Sequence, residues 1–130
     1  MKSKITDFKS ACKFLKRSTA LPDVSMIDKK HREYIINHYK LLVQTEALNL
    51  EQTGKEYKPD YTNSNEGKYI PWFEVKANKK HPAGSGFSCT LYVGWGADAV
   101  VGSRLCFPSS ELALYSAKKW EKQHIINQLM

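Results

Sequence analysis

At 130 residues the chain is long enough to bury one hydrophobic core and too short to make a second expected, so residues 1–130 read as a single domain. Its 42% apolar and 12% aromatic content excludes a disordered chain, and no run approaches the roughly 20 apolar residues of a membrane span. The net charge of +7 is concentrated: residues 1–17 hold Lys2, Lys4, Lys9, Lys13, Lys16 and Arg17 against Asp7 alone, while the rest of the chain carries 14 basic and 12 acidic groups.

The lysine-rich start lacks the apolar run of a signal peptide. Cys12, Cys89 and Cys106 are too few and too unevenly spaced for a disulfide framework. The resulting expectation is a cytoplasmic protein with reduced thiols and no membrane partner.

In chain order, the first predicted helix places Phe8, Ala11, Cys12 and Leu15 on one face, with Thr6 or Asp7 as the cap. Lys9, Lys13 and Lys16 share a different face, and the helix ends before Leu21 and Pro22. A second, long helix starts near Ser25 to Asp28 and carries Ile35, Ile36, Tyr39, Leu42, Val43, Ala47 and Leu50 as an apolar stripe, with Gly54 as a left-handed stop. Lys55 to Gly67 has neither a helical nor an alternating period and reads as a surface connection.

Three strands are predicted next. Lys68 to Lys76 is rich in aromatic and β-branched residues, although Pro71 removes a ladder donor and points to an edge or a bulge. Phe87, Cys89, Leu91, Val93 and Trp95 alternate with Ser88, Thr90, Tyr92 and Gly94, and a third strand follows from Val100 to Phe107. The short connections favour an antiparallel meander.

Pro108 ends the sheet, and Ser109 or Ser110 caps a terminal helix with two apolar sides. Ala113, Ala117, Trp120 and His124 make one side; Leu114, Tyr115, Ile125, Ile126 and Leu129 make the other. The expected fold is α+β, ordered helix, helix, three-stranded antiparallel sheet, helix, with a single layer of helices packed on one sheet face.

The fragments "ALPDVS", "HYKLLVQTEALN", "YIPWFEV", "GSGFS" and "GSRLCF" followed by "SELALYSAKKW", with Pro59 and Asp60 in the long loop, give the chain a resemblance from about Phe8 to Lys122. It resembles a group of small uncharacterised proteins encoded by phages, prophages and mobile elements of gut bacteria. Tyr57 and Tyr61 stand where that group has tryptophans and aspartates around the Pro-Asp pair. The resemblance implies an accessory role in a mobile-element context and supplies no catalytic residues.

The chemistry-bearing residues are weighed against structural roles. Cys12 and Cys89 fall on apolar faces and read as core; Cys106 shares a strand face with Arg104, a cation that favours thiolate. His31 and His38 are two helical turns apart, and no Cys-x-x-Cys or His-x-x-x-His pair exists, so no metal and no cofactor is expected. The segment Lys79 to Gly86 mixes charge with glycines but lacks a P-loop ending, and it reads as a hairpin connection.

No catalytic residue is assigned. The leading expectation is a non-enzymatic accessory binding protein that contacts nucleic acid weakly and electrostatically through Lys9, Lys13, Lys16, Arg17, Lys79, Lys80 and Arg104, with Tyr92 available to stack on a base. The alternative is an oligomeric assembly protein, a homodimer joined through Ile125, Ile126 and Leu129.

Overall fold

In a computed structural model the chain is described over residues 1–60, 62–63, 66–78, 81–94 and 103–129; within strands and helices, side chains are described outside residues 72–94, 103 and 128–129. Helix α1 spans Phe8–Leu15 and α2 spans Lys29–Thr53. Strands β1 (Lys68–Asn78) and β2 (His81–Gly94) follow, then a 3-10 turn at Ser103–Leu105, α3 (Ser110–Lys119) and α4 (Glu121–Leu129). The α+β character expected from the sequence holds at this level.

The helix ends have local causes. The Asp7 carboxylate accepts from the Ser10 amide at 2.8 Å, and the Ser10 hydroxyl oxygen accepts from the Asp7 amide at 3.0 Å, a reciprocal cap for α1. Lys16 then turns left-handed at φ 56°, ending the helix one turn earlier than Leu21 and Pro22 require. Asp28 caps α2 through the Lys30 amide, and Gly54 closes it at φ 75°, where a side chain would be strained.

The sheet departs from the expected meander. β1 and β2 pair antiparallel from Lys68 with Gly94 out to Asn78 with His81, with a register shift between Lys76 and Asn78. Residues 81–86 therefore belong to β2 rather than to a connection, with Gly86 registered against Lys76 and His81 against Asn78 on the two sides of the register shift.

The third strand is a correction. Ser103–Leu105 is a 3-10 turn, and of the described part of Val100 to Phe107 only Phe107 pairs, in an isolated bridge to Tyr69. The Tyr69 amide donates to the Phe107 carbonyl at 3.0 Å and the Phe107 amide returns the bond at 2.8 Å. Alternate residues of a strand aim their backbone groups to the same side, so the nitrogen of Pro71, two residues on from Tyr69, faces away from β2. Pro71 pairs with Leu91 without removing a bond between the two strands.

The core also lies elsewhere than expected. Ile5, Ala11, Cys12, Leu41, Ala47, Leu48, Phe107, Ala113 and Trp120 are buried together, joining α1, the C-terminal half of α2, the 105–107 segment and α3. Of the helices, α3 packs on both strands, while α2 packs on α1, α3 and α4. The helices thus pack mainly on one another around Phe107, not as one layer on a broad sheet face.

The terminal helix is two helices. Trp120, at φ −117° and ψ 35°, separates α3 from α4, yet its amide still bonds Ser116 at 2.9 Å and its carbonyl accepts from His124 at 3.0 Å. Its indole is held on the core by an Nε1–H bond to the Thr6 carbonyl at 3.0 Å.

Candidate functional site

Two surfaces on either side of α1 carry the functional candidates. The first is its cationic stripe. Burial of Ala11 and Cys12 against α2 fixes the rotation of α1, with the Phe8 ring edge-on to Tyr39 at 5.9 Å between centroids. Lys9, Lys13 and Lys16 are consequently exposed, and among the described residues none of them makes an ion pair. Lys40 of α2 stands 5.9 Å over the Phe8 ring on the α2 side of the same helix.

The second surface is a cleft of about 700 Å³ where the end of α1, the α2 helix, the 56–59 segment and the 3-10 turn meet. Arg17 and Arg104, both named from the sequence, line it together. They differ in state. Arg17 is bound to Glu46 at 2.6 Å, and the Glu46 hydrogen bond holds its guanidinium even more firmly charged than usual. Arg104 is exposed and makes no ion pair among the described residues. Lys58 stands 3.8 Å from Glu56 on the remaining wall.

Asn49 lies beneath these charges at 4% exposure. Its amide nitrogen donates to the Cys106 carbonyl at 3.0 Å, which fixes the amide plane, and its Oδ1 finds no donor among the described residues. A buried carbonyl without a donor costs about 1–3 kcal/mol. The aromatic rings of Tyr39 and Tyr57 contribute to the same lining.

The remaining predicted site residues are not gathered here. Lys79 and Lys80 lie outside the described residues, and Tyr92 sits in β2 opposite Ile70, with its side chain outside the description. Ile125 and Ile126 are half-buried on α4, and Leu129 ends that helix. Part of α4 is taken up within the chain, since Asn127 Oδ1 meets His38 Nδ1 at 2.7 Å.

Cys106 is 3% exposed, so the partly exposed setting a reactive thiol requires is missing. Burial likewise raises the Cys12 thiol pKa, partly opposed by the positive charge of Arg17. Ser116 Oγ and His124 Nε2 lie 2.8 Å apart, within the reach of a nucleophile and its base. At 0% and 3% exposure, however, neither meets solvent, and burial drives the His124 pKa to about 4, with the Ser116 hydrogen bond opposing. The pair is part of the packing between α3 and α4.

Comparison with family models, with curated proteins and with solved structures returns no match. Among the described residues no group of three His, Cys, Asp or Glu side chains is placed to hold a metal ion, and no helix is long and apolar enough to cross a membrane.

The apolar periodicity of α2 does not mark the cleft, whose lining comes from four separate parts of the chain. Asn49 stands between Leu48 and Leu50, but Asn37, Gln44 and Thr45 are buried polar residues of the same helix, so no local signal singles it out. Nothing local announces that Arg17, 29 residues before Glu46, would bind it.

Proposed function

We propose that this protein is a non-catalytic binding protein that contacts a polyanion, nucleic acid in the first place, through the cationic stripe of α1. The observation that carries this reading is that Lys9, Lys13 and Lys16 are exposed together while the opposite side of the helix is committed to the core. Lys9 and Lys13 on α1, with Lys16 at its left-handed C-cap, form a compact electrostatic footprint whose affinity comes from counterion release rather than from base reading. The reading is compatible with an accessory role in a mobile element, as the sequence resemblance implies.

Titration of a fluorescent single-stranded oligonucleotide at two salt concentrations tests it. Binding at low salt that weakens steeply with salt supports the proposal. Replacing Lys9, Lys13 and Lys16 by glutamine flattens the salt slope by about 2, at roughly 0.7 per lost phosphate contact on a single strand. Absence of binding at low salt overturns it.

A further inference from the structure

We propose that two copies of this chain pair antiparallel along the outer edge of β1, about a two-fold axis at Val75, so that their hairpins join into one continuous sheet. This goes beyond the polyanion reading, since it concerns a different surface and has a second copy of the chain as its occupant.

The hairpin leaves that edge open beyond its base. Tyr69 aims its N–H and C=O away from β2 and bonds Phe107 with both. Strand residues alternate, so Phe73 and Val75 aim their backbone groups to the same outer side, where among the described residues neither finds a backbone partner. A ladder of two strands is marginal by itself, and a row of unpaired edge groups is a template for a further strand.

The residue order of β1 selects a second copy as that strand. An axis at Val75 sets Val75 opposite itself and Phe73 opposite Ala77 of the second copy, apolar against apolar, in pairs bonded through the outward groups. It also sets Glu74 opposite Lys76 of the second copy, and symmetry repeats the match, so opposite charges meet at both cross-strand positions. An axis at Glu74 or at Lys76 would instead set like charges against each other and call on backbone groups that already serve β2.

The neighbouring chain permits this register. Pro71, which has no N–H to give, falls opposite position 79, beyond the end of β1, so the pairing runs over 72–78 without it. Phe107, bridged to Tyr69, lies outside the same span.

Sedimentation of the full chain, beside a melting curve for each variant, tests the proposal. Expected is a dimer with a Kd at or below about 10 µM. Val75→Pro removes an outward N–H without removing a bond to β2, and is expected to weaken the dimer at least about tenfold. Lys76→Glu sets glutamate against Glu74 and is expected to weaken it about tenfold, while adding Glu74→Lys to the same chain is expected to restore it.

Val75→Cys is expected to cross-link to its own copy under diamide, because residues of a bonded pair stand about 5.5 Å apart, within disulfide reach. Phe73→Cys, set opposite Ala77, is expected to cross-link about tenfold more slowly or less. Peptide mapping separates these links from any made by Cys12, Cys89 or Cys106.

The proposal is overturned if the parent sediments as a monomer at about 100 µM, if cysteines at 73 and 75 cross-link alike, or if the charge swap fails to restore what Lys76→Glu loses. A folded Val75→Pro that associates as the parent does overturns it too; where that variant does not fold, the charge swap and the cross-links decide. A dimer lost in Ile126→Asp and kept in Val75→Pro would place the contact on α4 and overturn the β1 assignment.

Discussion

Gln44 of α2 and Gln123 of α4 exchange two amide hydrogen bonds, Nε2 to Oε1 at 2.7 Å in one direction and 2.8 Å in the other. Gln44 is fully buried, and two turns away Asn37 donates to the backbone carbonyl of the same Gln123 at 2.7 Å. The contact between the central and last helices is therefore made largely by amides in matched register, where an apolar seam would have tolerated sliding.

Breaking one side of this pair is expected to cost more than removing both. Gln44→Leu leaves the half-buried amide of Gln123 without its partner and is expected to lower stability by about 1 kcal/mol in urea denaturation. The double variant Gln44→Leu, Gln123→Leu is expected to recover part of that loss. A double-mutant cycle with no coupling between the two positions would refute the pairing.

His124 is expected to make stability fall with acid in a defined window. Its pKa is about 4 in the fold against an ordinary value near 6.5, so the unfolded chain takes up the proton first as pH drops. Stability is complete above pH 6.5, declines between about 6.5 and 4 by up to ~3 kcal/mol, and levels off below, where both states are protonated. His124→Gln, which keeps a hydrogen-bonding group opposite Ser116, should lack that part of the slope. Equal pH profiles for the two proteins would contradict the buried, neutral imidazole.

The α1 cap offers a cleaner local measurement. Asp7→Ala removes the acceptor for the Ser10 amide and is expected to cost about 1 kcal/mol by thermal denaturation, whereas Asp7→Asn retains most of it. The Ser10 amide hydrogen bond, followed by the Ser10 hydroxyl, holds the Asp7 carboxyl below its ordinary pKa, so this contribution is present above the ordinary value and is lost as pH falls through the depressed one. An alanine variant as stable as the parent would show that the cap contributes nothing.

Cys12 and Cys106 are 0% and 3% exposed, and both should resist a thiol reagent in the native protein until it opens. Peptide mapping after alkylation, read separately for each cysteine, checks this. Labelling of either at the rate of a free thiol in native buffer would place it outside the core.

The sequence by itself determined the elements whose cause is local. Phe8, Ala11, Cys12 and Leu15 share one helical face, which sets the buried side of α1 and leaves Lys9, Lys13 and Lys16 exposed without reference to any distant residue. Gly54 ends α2 for an equally local reason, a left-handed stop, while the start expected near Ser25 to Asp28 with the serine as cap is made by Asp28. The buried side of the last helical segment, Ala113, Ala117, Trp120 and His124, was legible from the same periodicity.

Tertiary structure alone decided the rest. Alternation over Val100 to Phe107 resembles a strand, but a strand needs a partner along its length, and Phe107 finds one only at Tyr69. Residues 81–86 look like a turn, but β1 pairs with their two ends, Asn78 with His81 and Lys76 with Gly86, and they extend. The cleft follows the same logic. Its Arg17–Glu46 pair and the Asn49 bond to Cys106 join positions 29 and 57 residues apart. Periodicity reports only which face of its own helix a residue occupies, so the meeting of those faces was decided by packing α1 and the 105–107 segment against α2.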